Sequence, residues 1–403
     1  MNYKYLLLLL AITLMHNRSA EIFAQQSEEL FFENYASFAT QEMYYKSSLI
    51  KGSDGYIYSC GATLNAQGNY DMILSKLTSA NELVWNAVYA GTSGGDDFAS
   101  DLVQDSQGNI IITGAEYISV GNYNAVTIKY SPTGSLIWQQ SYNGAGNSYD
   151  GGISLSIDQT NNLYIVGSTF GSSTQSNFLT IKYNSSGTQL WTSTWDGIGL
   201  NDLGTKIAIN GNQVALVGVS QQSASSWKMA AIYFQPQTGA FLGSRLSGGN
   251  TAGINRVSDV AIDANDNTYI IGSAKNSGQG LDVKVLKLSA SYDIIWQQSV
   301  NGSANTDDEG LGLELTSNGD VVVCGYLTND GTGKDVFASK LNGITGNTIW
   351  SAHYDEEGFD DKGVDLKLEN DEEPIICCSS FKLQNIDFLL LKYSGIDGNL
   401  IAK

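Results

Sequence analysis

Histidine is almost absent from this sequence: His16 and His353 are the two in 403 residues. A histidine-ligated zinc site needs several imidazoles and is excluded by count. A Ser-His-Asp relay would have to run through His353. Arginine beyond residue 24 is confined to Arg245 and Arg256, too few for an arginine cluster that clamps a carboxylate substrate. Proline is limited to 3 residues, cysteine to 4, and charged residues to 15%. Lys and Arg number 21 against 41 Asp and Glu, a net charge of −20. This shortage of positive charge argues against nucleic acid and anionic membrane surfaces, and leaves cations or basic groups as the partners charge would favour.

Long apolar runs are also missing after the start. Tyr5–Met15 follows Lys4, and small residues stand at Ala20 and Ala24. An eleven-residue run is too short for a bilayer-spanning helix and fits the core of a secretory signal. The expectation is a signal peptide over 1–24, and one exported domain over 25–403 in the periplasm, on the outer surface or outside the cell. No membrane insertion is expected after its removal.

What the chain does contain is 44 Gly, 22 Tyr and many Ser, Thr, Asn and β-branched residues. Such a composition suits strands and tight turns rather than long helices. Three markers recur at a spacing of about 53 residues, the sign of a repeat architecture. Trp85, Trp138, Trp191, Trp296 and Trp350 form one series, with Gly243 in the vacant slot. Gly61, Gly114, Gly167, Gly218, Gly272 and Gly325 form a second, with Ser379 in the seventh. Lys76, Lys129, Lys182, Lys287, Lys340 and Lys392 form a third, with Tyr233 replacing one. Each repeat carries four short strand patterns joined by Gly, Asn and Pro turns. Four strands per repeat, seven times over, predict an all-β, seven-bladed β-propeller with four antiparallel strands per blade. Phe31–Tyr35 resembles Trp138–Tyr142, so an N-terminal strand is expected to complete the last blade and close the ring.

Asp105–Gly114 and Ile128–Trp138 are similar to the SBBP-type β-propeller repeat of exported bacterial proteins, and the likeness runs from about Leu30 to the end. It implies the fold and hardly touches function. Thr345–Trp350 also resembles the tryptophan-docking pattern of quinoprotein propellers, which are longer and usually have eight blades.

The recurring tryptophans read as side chains that fill the widening space between blades. Cys60, Cys324 and Cys378 occupy one slot before the glycine and read as small core residues; a vicinal Cys377–Cys378 disulfide is the alternative. Between one blade's last strand and the next blade's first, Asp97, Asp150, Asp202 and Asp308 align, with Asn255 in the same slot and Asp361 close to it. Calcium is the one cofactor such oxygen donors could take. The competing reading is that each Asp caps local backbone N–H groups. Loops on the same face carry Tyr117, Tyr123, Phe170, Trp227 and Tyr326 as candidate ligand-stacking residues. Trp227 stands out among them because it recurs in no other blade.

No catalytic constellation emerges. The leading expectation is a monomeric, non-enzymatic binding module that takes a protein or glycan on its loop face. A carboxylate-based polysaccharide hydrolase or lyase and a structural spacer are the alternatives.

Overall fold

The computed structural model describes residues 48–80, 82–171, 175–356, 358–370, 372–382 and 385–403. The expected signal peptide and the closing strand at Phe31–Tyr35 lie outside these residues. The described residues form 28 strands in seven four-stranded antiparallel sheets, each built from four consecutive strands in chain order. No helix occurs among them.

The first sheet holds β1 (Ser48–Lys51), β2 (Ile57–Leu64), β3 (Tyr70–Leu77) and β4 (Leu83–Tyr89). The second holds β5 (Phe98–Gln104), β6 (Ile110–Ser119), β7 (Asn122–Tyr130) and β8 (Leu136–Tyr142). The third holds β9 (Gly151–Ile157), β10 (Leu163–Phe170), β11 (Ser176–Tyr183) and β12 (Gln189–Trp195). The fourth holds β13 (Asp202–Ile209), β14 (Val214–Ser223), β15 (Ser226–Phe234) and β16 (Phe241–Ser247). The fifth holds β17 (Arg256–Ile262), β18 (Thr268–Asn276), β19 (Gly280–Leu288) and β20 (Ile294–Val300). The sixth holds β21 (Glu309–Leu315), β22 (Val321–Asn329), β23 (Gly333–Leu341) and β24 (Thr348–Tyr354). The seventh holds β25 (Asp361–Glu369), β26 (Glu373–Lys382), β27 (Asn385–Tyr393) and β28 (Leu400–Ala402).

Contacts divide the described chain into two compact units. Residues 48–216 and 234–241 form the first, and 217–233 and 242–403 the second. The first three sheets lie wholly in the first unit and the last three wholly in the second; the fourth has residues in both.

Within each sheet the second and third strands carry the core. Ile110, Ile112, Val126 and Ile128 pack with Leu74 and Met72 of the preceding sheet. Val321, Val323 and Phe337 pack with Val283 and Val285 in the same way. Strands covered on both faces need continuous apolar runs, and IIITGA and VVVCGY supply them. The repeated glycine has a steric cause: a Cβ at Gly114 would lie 1.9 Å from the Phe98 carbonyl oxygen, and one at Gly325 would lie 1.9 Å from that of Glu309. Beside each glycine the first strand bulges, between Ala99 and Asp101 and between Gly310 and Gly312.

The tryptophan and lysine series form one device. Trp138 Nε1 and Lys129 Nζ both donate to the Ser185 carbonyl of the next sheet, at 3.2 and 3.1 Å. Trp191 and Lys182 share Pro236 O at 3.0 and 2.8 Å. Trp296 and Lys287 share Gly343 O at 3.2 and 2.6 Å, and Trp350 and Lys340 share Gly395 O, each at 3.2 Å. Each indole lies over a turn glycine with positive φ, such as Gly346 (φ 74°), where a Cβ would come within 2.7 Å of Trp296. In the fourth sheet the arrangement is inverted. Gly243 replaces the tryptophan, and Tyr292 stands at φ 68° where the turn glycine would be. The Tyr292 ring fills the space over Gly243 and stacks on Tyr233, the lysine-slot residue, with centroids 4.0 Å apart.

The four cysteines are unbridged, and Cys60, Cys324 and Cys378 are buried. Cys324 and Cys378 belong to one apolar cluster, as their slot implied. The exposed Cys377 makes no disulfide with its neighbour.

Candidate functional site

The sequence placed its candidates where one sheet ends and the next begins. There the acidic slot works as backbone chemistry. Asp97 accepts hydrogen bonds from Gly91 N–H in its own loop (2.6 Å) and from Tyr117 N–H at the end of β6 (2.8 Å). Asp150 does the same with Gly144 N–H (2.6 Å), Phe170 N–H (3.2 Å) and the Thr169 hydroxyl (2.5 Å). Asp308 takes Gly302 and Thr328 N–H at 2.8 and 2.7 Å. Asp202 takes Gly197 N–H at 2.8 Å, and Asp361 takes Glu356 N–H. Asn255 fills the slot in the fifth sheet, accepting from Lys275 N–H (2.7 Å) and donating to Trp227 O (2.5 Å).

All six slot residues are at most 2% exposed. Burial pushes the carboxyl of Asp97 up to about 6, helped by the nearby Glu116 and Asp71 charges, and N–H donors only partly offset it. Burial likewise lifts Asp308 to about 6 and raises Asp150 and Asp361. Among the described residues no group of three or more His, Cys, Asp or Glu side chains could hold a metal ion. In Asp97, Asp150 and Asp308 both oxygens that calcium would need face amide or hydroxyl hydrogens instead.

The residue before each slot has its own task, which the sequence did not disclose. Asp96 accepts from Tyr70 N–H (2.8 Å), Asn201 from Ser176 N–H (3.1 Å), Asp307 from Leu281 N–H (2.8 Å) and Asp360 from Lys334 N–H (3.1 Å). Each acceptor thereby ties its loop to the third strand of the preceding sheet. Where that residue is Tyr149 or Ile254, a backbone carbonyl takes over: Ser148 O accepts from Tyr123 N–H (3.0 Å) and Gly253 O from Trp227 N–H (2.9 Å). Tyr70, Tyr123, Ser176, Trp227, Leu281 and Lys334 are therefore one repeated position.

This corrects the expectation for Trp227. It is a strand residue in β15, 5% exposed, and a buried indole offers no stacking platform. Its apparent uniqueness came from the varied side chains of a position that does repeat. Tyr326 is corrected likewise: it lies in β22, is 3% exposed, and is covered by the ammonium groups of Lys334 and Lys362 at 4.6 and 5.1 Å from its ring centre. Phe170 ends β10 and is half-buried.

Tyr117 and Tyr123 do come together. They face each other as partners across β6 and β7, with ring centres 5.3 Å apart and edge-on at 72°. Tyr149, which the sequence reading missed, adds a third ring 5.7 Å from Tyr123. All three are half-buried. Their spacing falls in the range of favourable aromatic pairs. The Tyr117 ring lies against Gly95, where a Cβ would sit 2.1 Å from its Cδ1. Burial, reinforced by the charge of Asp150, pushes the Tyr149 hydroxyl up to about 12. Burial and then the Asp96 charge raise that of Tyr123. Beside this cluster Glu116 is buried and accepts from the Tyr89 hydroxyl at 2.9 Å. His353, the one described histidine, is exposed on β24 with its ring 6.0 Å from that of Phe337.

No protein-family model and no curated protein matches the chain. Solved structures do. The quinohemoprotein alcohol dehydrogenase of Comamonas testosteroni is 11% identical with a TM-score of 0.52, over 80% of this chain and 61% of that one. The quinohemoprotein alcohol dehydrogenase ADHIIG of Pseudomonas putida HK5 is 10% identical with a TM-score of 0.51, over 90% of this chain and 74% of that one. This chain thus spans less than two thirds of the Comamonas enzyme. At such identity the likeness is one of fold, and the fold is a β-propeller.

Proposed function

We propose that this chain is an exported, non-enzymatic binding module that meets a protein or glycan partner at Tyr117, Tyr123 and Tyr149. The carrying observation is a trio of half-buried tyrosine rings on a scaffold whose slot carboxylates accept backbone N–H groups. Tyrosine gives a large contact area at low conformational cost. Likeness to the SBBP-type repeat supports the reading of an exported repeat protein. The reading includes a closing strand at Phe31–Tyr35.

The test is Tyr123→Ala in residues 25–403, assayed on a glycan array and against envelope proteins of the native cell. Capture is expected to fall while the melting temperature moves little. Unchanged capture would remove the tyrosine trio as the contact surface.

A carboxylate-based hydrolase has one observation behind it, the rise of Asp97 to about 6 beside Glu116. It requires polysaccharide cleavage that disappears in Asp97→Asn. Both carboxylates already hold internal donors, which places this reading second.

A further inference from the structure

Asp105, Asn109 and Lys129 are each at most 7% exposed, and the lysine and the asparagine converge on one oxygen of the aspartate. Lys129 Nζ lies 2.7 Å from Asp105 Oδ2, and Asn109 Nδ2 donates to the same Oδ2 at 2.8 Å. Asn109 Cγ is one bond from that nitrogen, so a buried amine and a buried carboxamide flank a shared carboxylate. The remaining contacts hold the group in place. Asp105 Oδ1 accepts from Gln107 and Asn109 N–H, each at 2.9 Å. Lys129 Nζ donates to Ser185 O at 3.1 Å, and Asn109 Nδ2 to Gln107 Oε1 at 3.3 Å. The Asp–Asn pair recurs in the third and fifth sheets as Asp158–Asn162 and Asp263–Asn267, but there a tyrosine intervenes. The Tyr164 and Tyr269 hydroxyls donate to Asp158 and Asp263 at 3.2 and 3.1 Å, and the Lys182 and Lys287 ammonium groups rest 4.7 and 4.9 Å from those ring centres. Lys182 faces Tyr164 and Lys287 faces Tyr269 across their strands, whereas Lys129 faces Ile111. With no ring to rest on, the Lys129 amine reaches the carboxylate and the carboxamide beside it.

We propose that Lys129 and Asn109 become joined by an isopeptide bond, with Asp105 as the proton relay. Asp105 takes a proton from the Lys129 ammonium, which frees the amine as a nucleophile. Nζ attacks Asn109 Cγ and a C–N bond forms. Asp105 passes that proton, and then a second one from Nζ, to Nδ2. The Cγ–Nδ2 bond breaks, Nδ2 leaves as an ammonium ion, and Asp105 returns to the charged state in which it began. No oxidant, metal or added group is consumed. The fold supplies contact between the partners, which is where such a step gains its rate, and the carboxylate keeps the Gln107 and Asn109 N–H donors throughout. Asn109 immediately precedes β6 and Lys129 lies near the end of β7, so the bond would clamp the open end of the hairpin that carries Tyr117 and Tyr123 at its other end. The proposal stands independently of what those tyrosines bind.

The experiment is intact-mass spectrometry of residues 25–403, followed until the mass is constant, with a protease digest of the same sample. The chain should weigh one ammonia less than its sequence, and one digest product should join the peptide of Asn109 to that of Lys129. Lys182 and Lys287 should be found free, so that a single ammonia is lost. Lys129→Arg keeps a cation and removes the nucleophile. Asp105→Asn keeps an acceptor for the Gln107 and Asn109 N–H groups and removes the relay. Ile111→Tyr copies the third and fifth sheets and draws Lys129 onto a ring. All three variants should hold the full mass while keeping the circular dichroism of the wild type; where one does not fold, the joined peptide in the wild type decides. A wild-type chain at full mass, with Lys129 and Asn109 in separate peptides, would overturn the proposal and leave a buried ion pair. An ammonia loss that persists in Lys129→Arg or Asp105→Asn would also overturn it, because a succinimide at an Asn–Gly pair such as Asn143–Gly144 loses the same mass without a cross-link.

Discussion

The two units handle the same loop position in different ways. In the second, Lys275 meets Asp307 and the Arg256 guanidinium is paired with Glu309 at the first residue of β21. In the first, the position of Lys275 holds Tyr117, and that of Glu309 holds Phe98, packed 6.2 Å from Tyr70. Yet the backbone hydrogen bonds are the same: Asp97 and Asp308 each clasp a loop glycine and the end of a second strand. The difference separates two roles that lie one residue apart in sequence. The slot aspartate belongs to the scaffold and cannot vary much. The side chains around it are free to be charged and self-neutralised, or aromatic.

The largest expected effect contrasts Trp227 with Tyr123, which share a strand position. Trp227→Ala should cost about 3–5 kcal/mol, the range for removing a buried aromatic. Tyr123→Ala, at a half-buried ring, should cost about 1–2 kcal/mol because less area is lost from the core. Urea unfolding of both variants checks this, and equal losses would mean that burial does not separate them.

Next in size is the response to pH. Burial raises Asp97 and Asp308 to about 6 in the folded chain, above the ordinary value near 4 expected when unfolded. The folded state therefore binds these protons more tightly. Their contribution is full below about pH 4 and is lost as the pH rises through about 6, on the order of 2 kcal/mol for each. Asp97→Asn should flatten that decline in the first unit and Asp308→Asn in the second; Asn255 shows that an amide can hold the position. At the other end of the first strands, Asp105, Asp158 and Asp263 shift the opposite way. Though burial opposes it, Asn109, Asn162 and Asn267 donate to their carboxylates and lower them. Those groups stabilise above the ordinary carboxylate value and lose that effect as acid protonates them. Urea midpoints from pH 3 to pH 8 should therefore pass through a maximum, and the Asn variants should shift it towards higher pH.

The smallest expected effect is that of calcium. Because the slot carboxylates face amide hydrogens, the melting temperature should be the same in calcium and in EDTA. A rise of several degrees that Asp97→Asn removes would return the slot to metal binding.

Much of the fold could be read from the sequence because its causes are local and repeated. The 53-residue markers each have a steric or polar reason: an indole over a turn glycine, a lysine on a carbonyl, a glycine against a neighbouring strand. The two readings of the acidic slot could also be stated, since short carboxylates beside glycines suit either calcium or capping. The inverted fourth sheet could not be foreseen. Gly243 and Tyr292 each look like a lost marker, and only their contact shows that one ring replaces the other. Trp227 was misplaced for a related reason: composition distinguishes aromatics from polar residues but not a strand's covered end from its open one. Tyr149 was missed because it looks like a loop residue before an aspartate. Its partnership with Tyr123 depends on an isolated bridge between that loop residue and β7.

The most direct test of the account is capture of envelope proteins and glycans by residues 25–403, compared between wild type and Tyr123→Ala. The account predicts weaker capture by the variant with a melting temperature that moves little. Capture unchanged by the substitution would contradict the claim that Tyr117, Tyr123 and Tyr149 form the contact surface.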